Sequence, residues 1–268
     1  MKNLIIIKLG GSIITDKTAK QGVFRQEIVE RIAQEIKAAQ EKNGFDLILV
    51  HGAGSFGHPI AKKYRLNEGY IDGQSSEGFA KTKIGVMELN LLVKQELSKA
   101  NLAACIIESS AVIKAHSGKI KKIDLGFIRF LLASDIIPIL SGDVVIDQET
   151  GFSIISGDQI ASHLARKLRA KTVVFVSDVN GIFDKNPKTY KDAQLIGEIN
   201  NRNYHFIVKN MKTNNLNDVT GEMGGKILAI KKDLSGIKAL IINGLKKENL
   251  LKSLIRPNGH KIGTVLEF

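Results

Sequence analysis

Four glycine-rich turns, each carrying a charged or hydrogen-bonding side chain, are the places in this sequence where chemistry could be done. They read "KLGGS" (8–12), "HGAGSFGHP" (51–59), "SDVNGIFDKNP" (177–187) and "DVTGEMGGK" (218–226). Glycine lets backbone N–H groups come close to phosphate oxygens, and a lysine beside them supplies neutralising charge. The first turn lacks the GxxxxGK[ST] spacing of a P-loop. The second contains GxGxxG, but no apolar strand follows Gly57 for Asp72 to terminate, so the dinucleotide reading loses its confirming context. What is left there is a donor-rich loop ending in an imidazole, His58, and held on its far side by Pro59. In the third turn Asp178, Asn180 and Gly181 form a sharp bend at the carboxyl end of an apolar run, where ligands of open α/β sheets bind. Lysines near opposite ends of the chain, Lys8 and Lys226, suit two phosphorylated ligands better than one dinucleotide.

These turns need a sheet to hold them. Near-continuous apolar runs at 3–9, 45–50, 104–109, 136–140, 172–177 and 239–244 are expected for parallel strands buried on both faces. Between the first two, Ile28, Ile32 and Ile36 recur at helical spacing and Gly44 follows as a stop, which makes a βαβ unit. Residues 143–158 read as a hairpin around "QETG", leading into a helix marked by Ile160, Leu164 and Leu168. The expected architecture is a three-layer αβα sandwich on a central, mainly parallel open sheet. No linker or fixed-period repeat divides it, so a single domain is expected, with an N-terminal lobe of about 1–170 and a C-terminal lobe of about 171–268.

Composition narrows the function classes. The 268 residues are 43% hydrophobic, enough for a real core. The lone Cys105 cannot form an intramolecular disulfide, and no zinc-ligand cluster appears, which suits a reducing, cytoplasmic setting. The opening apolar run is broken by Lys8 too early for a signal peptide, and no stretch reaches the ~20 apolar residues of a membrane helix. The net charge of +12 is scattered along amphipathic segments, with 6% aromatics and no tryptophan, so a solvated basic surface is expected rather than a nucleic-acid or membrane partner. A small anionic substrate would still be drawn in by that field.

Taken in order, "KLGGS", "LVHGAGSFGHP", "SGDQIASHLARKL", "SDVNGIFDKNP" and "DVTGEMGGK" resemble the amino acid kinase family along essentially the whole chain. Its members phosphorylate carboxylates, carbamate or phosphates with ATP. The second and last motifs resemble most the branch acting on isopentenyl phosphate, with His58 at the position contacting the acceptor's phosphate. The resemblance implies Mg²⁺, a homodimer and the following roles. Lys8, with Gly10, Gly11 and Ser12, binds ATP phosphates; Lys17 reaches the transferred group; Lys226 neutralises the leaving ADP; Asp158 orients both Lys8 and Lys226. Ala53, Gly54 and Gly157 line the acceptor phosphate site, Gly54 also bordering the nucleotide, with Asp178 and Gly181 on the nucleotide side. Alternatives left open are another phosphomonoester, fosfomycin, or a carboxylate such as acetylglutamate, which would call for an Arg or Asn contact set and no His58.

A five-carbon tail requires an apolar pocket, for which Phe79, Ile146 and Ile155 are candidates because they flank the second turn and the hairpin. His51 is expected to be structural, and His116, His163, His205 and His260 fall outside the motifs. Two positions depart from the family pattern: Glu222 stands where a second glycine is common, and Ser141 where a histidine is common in that branch.

Overall fold

The computed structural model describes residues 2–16, 22–185, 187, 189–213, 227, 230–256 and 262–268. Its centre is an eight-stranded sheet made of β1 (Leu4–Leu9), β2 (Asp46–His51), β3 (Ala104–Ile106), β6 (Ile137–Ser141), β9 (Thr172–Ser177), β12 (Glu198–Asn200), β13 (Lys238–Asn243) and β14 (Gly263–Glu267). The order across it is β12-β14-β13-β9-β1-β2-β6-β3, and every pair from β13 to β3 is parallel. Only β14 turns against its neighbour β13, carrying β12 with it. The expected strands are all present. The run at 104–109 gives only the three-residue β3, a half-exposed edge strand rather than one buried on both faces.

Period-two alternation sends each strand's side chains into two cores. Ile5, Ile7 and Leu9 of β1 join Leu47 and Leu49 of β2 on one face. That face is covered by α2 (Gln26–Asn43), α4 (Gly73–Lys99) and α9 (Asn249–Ile255). Ile6, Ile48, Val50 and Phe175 point the other way, beneath α6 (Gly126–Ala133), α7 (Gly157–Leu168) and α8 (Tyr204–Thr213). Helix α2 buries Val29, Ile32, Ala33 and Ile36 and stops at Gly44, whose φ of 55° is the left-handed geometry that glycine adopts without a Cβ penalty.

A second sheet, order β5-β4-β7-β8, stands beside the first. It comprises β4 (Ile113–His116), β5 (Lys119–Ile123), β7 (Asp143–Asp147) and β8 (Gly151–Ile155). The last two are the expected antiparallel hairpin, Asp143 facing Ile155 and Val144 facing Ile154. One residue, Gly142, separates β6 from β7, and a β-carbon there would stand 2.9 Å from the amide nitrogen of Gly157. Other elements among the described residues include the single turns α1 (Gly11–Ile14) and α5 (Ser109–Val112), helix α3 (Gly54–Lys63), a short 3-10 turn at Leu66–Glu68, and the pair β10 (Ile182–Phe183) and β11 (Leu195–Ile196). Among the described residues no helix is long and apolar enough to cross a membrane.

Candidate active site

Lys8 lies on the same side of β1 as Ile6, so alternation turns it toward α7. Its Nζ stands 2.9 Å from Oδ1 of Asp158. That carboxylate sits in the first turn of α7, where the helix dipole favours negative charge. The helix start is fixed by a reciprocal capping box: Gln159 N–H donates to Ser156 Oγ (3.2 Å) and Ser156 N–H to Gln159 Oε1 (2.8 Å). The lysine is therefore aimed by two rigid elements.

The glycine turns meet in space because backbone packs on backbone. A β-carbon on Gly11 would lie 2.7 Å from Cα of Gly54, and one on Gly157 would lie 2.9 Å from the carbonyl of His51 and 3.4 Å from Cε of Lys8. Thr15, fully buried, stitches the first two turns. Its Oγ1 donates to the Gly11 carbonyl (2.8 Å) and accepts from the Ser55 N–H (3.0 Å). The expected loop at "GSFGHP" is instead α3, with Pro59 inside it. Glycine and proline suggested a loop, but Gly57 and Gly85 let α3 and α4 pack closely: a β-carbon on Gly85 would meet the Phe56 carbonyl at 2.3 Å. His58 thus stands exposed on a helix whose first turn begins at the glycine cluster.

A cavity of about 720 Å³ opens above these turns. Lys8, Gly10, Gly11 and Ser12 line it from β1 and α1, and Ala53, Gly54 and His58 from α3. Ile155, Gly157 and Asp158 close one side, Asp178 and Gly181 the other. Gly181, at φ 140°, lies against Thr264, whose Oγ1 accepts from the Ile182 N–H at 2.7 Å. Lys17, Lys226 and Glu222 lie outside the described residues.

Two expected tail residues are corrected. Ile146 is 59% exposed and does not line the cavity. It shares a face with Val144, but sits two residues, roughly 7 Å, further along the strand. Phe79 packs a layer behind the wall, its ring 5.5 Å from that of Phe152 beside Ala61 and Leu66. The wall itself is the cross-strand pair Val144 and Ile154, with Ala61 of α3 and Thr82 and Val86 of α4. Sequence reasoning missed these. The signal was there in part, since Thr82 and Val86 follow Phe79 at helical spacings of three and seven.

Behind the wall Lys83 ties three groups together: it donates to Asp143 Oδ2, to Glu108 Oε1 and, at 2.9 Å, to Ser110 Oγ. The Asp143 side chain has no exposure, and its Oδ1 accepts from the Val144 N–H at 2.8 Å. Burial pushes its carboxyl above the ordinary range, with Lys83 pulling the other way. His51 is structural in placement. Wholly buried at the end of β2, it approaches the Gly52 carbonyl through Nδ1 (3.0 Å), and burial holds its pKa below the usual imidazole value.

Comparison with known proteins agrees with this geometry. Residues 3–243 match the model of the amino acid kinase family. The isopentenyl phosphate kinase of Methanothermobacter thermautotrophicus is 36% identical over 263 residues, 94% of this chain and 95% of that protein. That of Methanocaldococcus jannaschii is 34% identical over 272 residues, 99% of each. A solved isopentenyl phosphate kinase structure superposes with a TM-score of 0.82 at 33% identity, covering 98% of this chain and 99% of that one. By sequence, by sheet order and by the convergence of its glycine turns, the chain belongs to the amino acid kinase family.

Proposed function

We propose that this enzyme transfers the γ-phosphoryl group of ATP to isopentenyl phosphate, giving isopentenyl diphosphate for isoprenoid synthesis. The observation that carries the reading is the meeting of three glycine turns, at Gly11, Gly54 and Gly157, between Lys8 on one side and His58 on the other. The close relatives named above support it. With a second pKa near ~6, a phosphate monoester is largely a dianion at pH 7 and needs no general base to attack. An acceptor oxygen bonds to the γ-phosphorus, the bond from that phosphorus to the bridging oxygen breaks, and ADP leaves with the electron pair.

The protein's task is alignment and charge neutralisation. Lys8, held by Asp158, takes the ATP phosphates with Gly10, Gly11 and Ser12. Ala53, Gly54, Gly157 and His58 take the acceptor phosphate. Asp178 and Gly181 border the nucleotide, and Lys17 and Lys226 keep the roles that the family resemblance implies. Among the described residues no three His, Cys, Asp or Glu side chains converge as a cage. That suits Mg²⁺ entering on ATP, since it binds through phosphates, waters and at most one or two carboxylates. The five-carbon tail lies against Ala61, Val86, Val144, Ile154 and Ile155. Among the described residues lining the cavity there is no arginine, which speaks against a carboxylate acceptor.

The same reading gives an acceptor lobe of about 1–170, a nucleotide lobe of about 171–268, a cytoplasmic setting and a homodimer. On α4, Ile84, Met87 and Leu91 are 67%, 55% and 52% exposed along one stripe beside the edge strand β3, a surface fitted to a second copy. The test of function is ADP release with isopentenyl phosphate, dimethylallyl phosphate, fosfomycin and acetylglutamate, on wild type and His58→Ala. Turnover confined to isoprenoid phosphates and largely lost in the variant is expected. Turnover with another acceptor alone would overturn the assignment.

A further inference from the structure

We infer that Lys83, which does not itself line the cavity, sets how large a tail the acceptor compartment takes. It is a positioning residue, and its role rests on the acceptor reading given above. The wall comes from separate elements: Thr82 and Val86 belong to α4, Val144 and Ile154 to the hairpin. How far one part stands from the other depends on how α4 is joined to the hairpin. In the hairpin register Val144 faces Ile154, with Asp143 facing Ile155 on one side of that pair and Ile146 facing Phe152 on the other. Phe152 packs on Phe79 of α4, their ring centroids 5.5 Å apart. On the opposite side of the pair, Asp143 Oδ2 accepts from the Lys83 ammonium of α4. The wall pair is thus slung between an apolar contact and an ionic one.

The two contacts differ in stiffness. Hydrophobic attraction is non-directional and tolerates sliding, whereas a charge-assisted hydrogen bond is short and directional. The ionic contact is therefore the one that fixes the spacing. Its influence reaches the wall at both ends. Asp143 Oδ1 accepts from the Val144 N–H at 2.8 Å, so the carboxylate that holds the ammonium also orients the backbone of a wall residue. On the helix, Lys83 follows Thr82 and precedes Val86 by three residues, one turn away. The lysine is itself held in place: Asp143, Glu108 and Ser110 supply three acceptors for the three N–H donors of an ammonium. A tail one methylene too long must push the hairpin against this bond. Without the bond the hairpin yields. The Asp143 side chain has no exposure and meets no ligand, so the effect falls on tail selection and not on phosphoryl transfer.

The experiment measures kcat and KM for 3-methylbutyl phosphate and 4-methylpentyl phosphate, which differ by one methylene, in wild type, Lys83→Met, Lys83→Met/Asp143→Asn and Glu108→Gln, with thermal melts alongside. The preference for the shorter acceptor in kcat/KM is expected to be about tenfold in wild type, the lower end of what one methylene is worth in an apolar pocket, and to vanish in both Lys83 variants. The change is expected in acceptor KM, with kcat and the KM for ATP little altered. The double variant removes the stranded carboxylate and separates selectivity from stability; a preference that returns there to the wild-type value overturns the inference. Glu108→Gln keeps the Lys83–Asp143 bond and is expected to keep the preference, and a full loss there would assign the effect to net charge and overturn it equally. An unchanged preference in both Lys83 variants, with isopentenyl phosphate turned over, removes this inference and leaves the acceptor reading standing. Absence of turnover with every monophosphate in wild type removes both.

Discussion

Replacing Lys83 with methionine isolates the energetics of the buried charge cluster behind the acceptor wall. The ammonium is shared by two carboxylates of unequal exposure, Asp143 with none and Glu108 with 31%. Glu108 can turn to water when the lysine goes; Asp143 cannot. Removing one partner of a buried pair costs about 3–5 kcal/mol. At roughly 2–4 °C per kcal/mol for a chain near this size, the melting temperature of Lys83→Met is expected to fall by about 6–20 °C at neutral pH. The pH dependence gives the assay its discrimination. Burial already holds the Asp143 carboxyl above the ordinary 3.8, and losing Lys83 removes the influence that opposes this. The native variant then keeps a proton that the unfolded chain has shed, so its stability declines as pH rises from about 4 through the raised folded value. Asp143→Asn in the same background removes that decline and is expected to restore most of the loss. Melting curves from pH 4.5 to 8 on the single and double variants decide the matter. A drop below about 2 °C that does not vary with pH would refute the claim that Lys83 neutralises a dry carboxylate.

Three further outcomes are expected. Lys8→Met and Asp158→Asn should each lower kcat, the latter less, because the 2.9 Å pair aims the lysine rather than creating its charge; equal KM effects with unchanged kcat would contradict this. Gly54→Ala should destabilise the fold, since φ is 52° and the new methyl would meet Thr15 Oγ1 at 2.3 Å; a melting temperature within 1–2 °C of wild type, the shift of about half a kcal/mol, would refute the close approach. Because buried His51 resists protonation while the unfolded imidazole titrates near 6.5, stability should fall as pH drops below that value, and His51→Gln should flatten the slope, as followed by thermal melts.

Much of this molecule could be read from its sequence, for a physical reason. Doubly buried parallel strands leave unbroken apolar runs, so β1, β2, β6, β9 and β13 announced themselves. The lysine of "KLGGS" and the aspartate of "SGDQ" were legible as motifs, but their pairing depends on which face of β1 meets α7. Helix α3 was hidden because its glycines serve inter-helix contact rather than flexibility. Of the three expected tail residues, Ile155 lines the cavity and the other two were displaced. Ile146 is on the right face beyond its cover, and Phe79 one turn short of Thr82 and Val86. Depth along an element is set by its neighbours, which no local pattern encodes.

The chain leaves the main sheet for the second one across a single residue, Gly142, and the hairpin beyond it supplies Val144 and Ile154 to the tail wall. The groups we propose to handle phosphate are rooted in β1, α3 and α7 and the turns that adjoin them. The hairpin can therefore be regarded as an interchangeable cassette hung on one elbow. Exchanging it would re-cut the pocket for a different tail while the phosphate machinery stayed as it is, so acceptor choice and transfer chemistry are free to diversify at separate addresses in the chain.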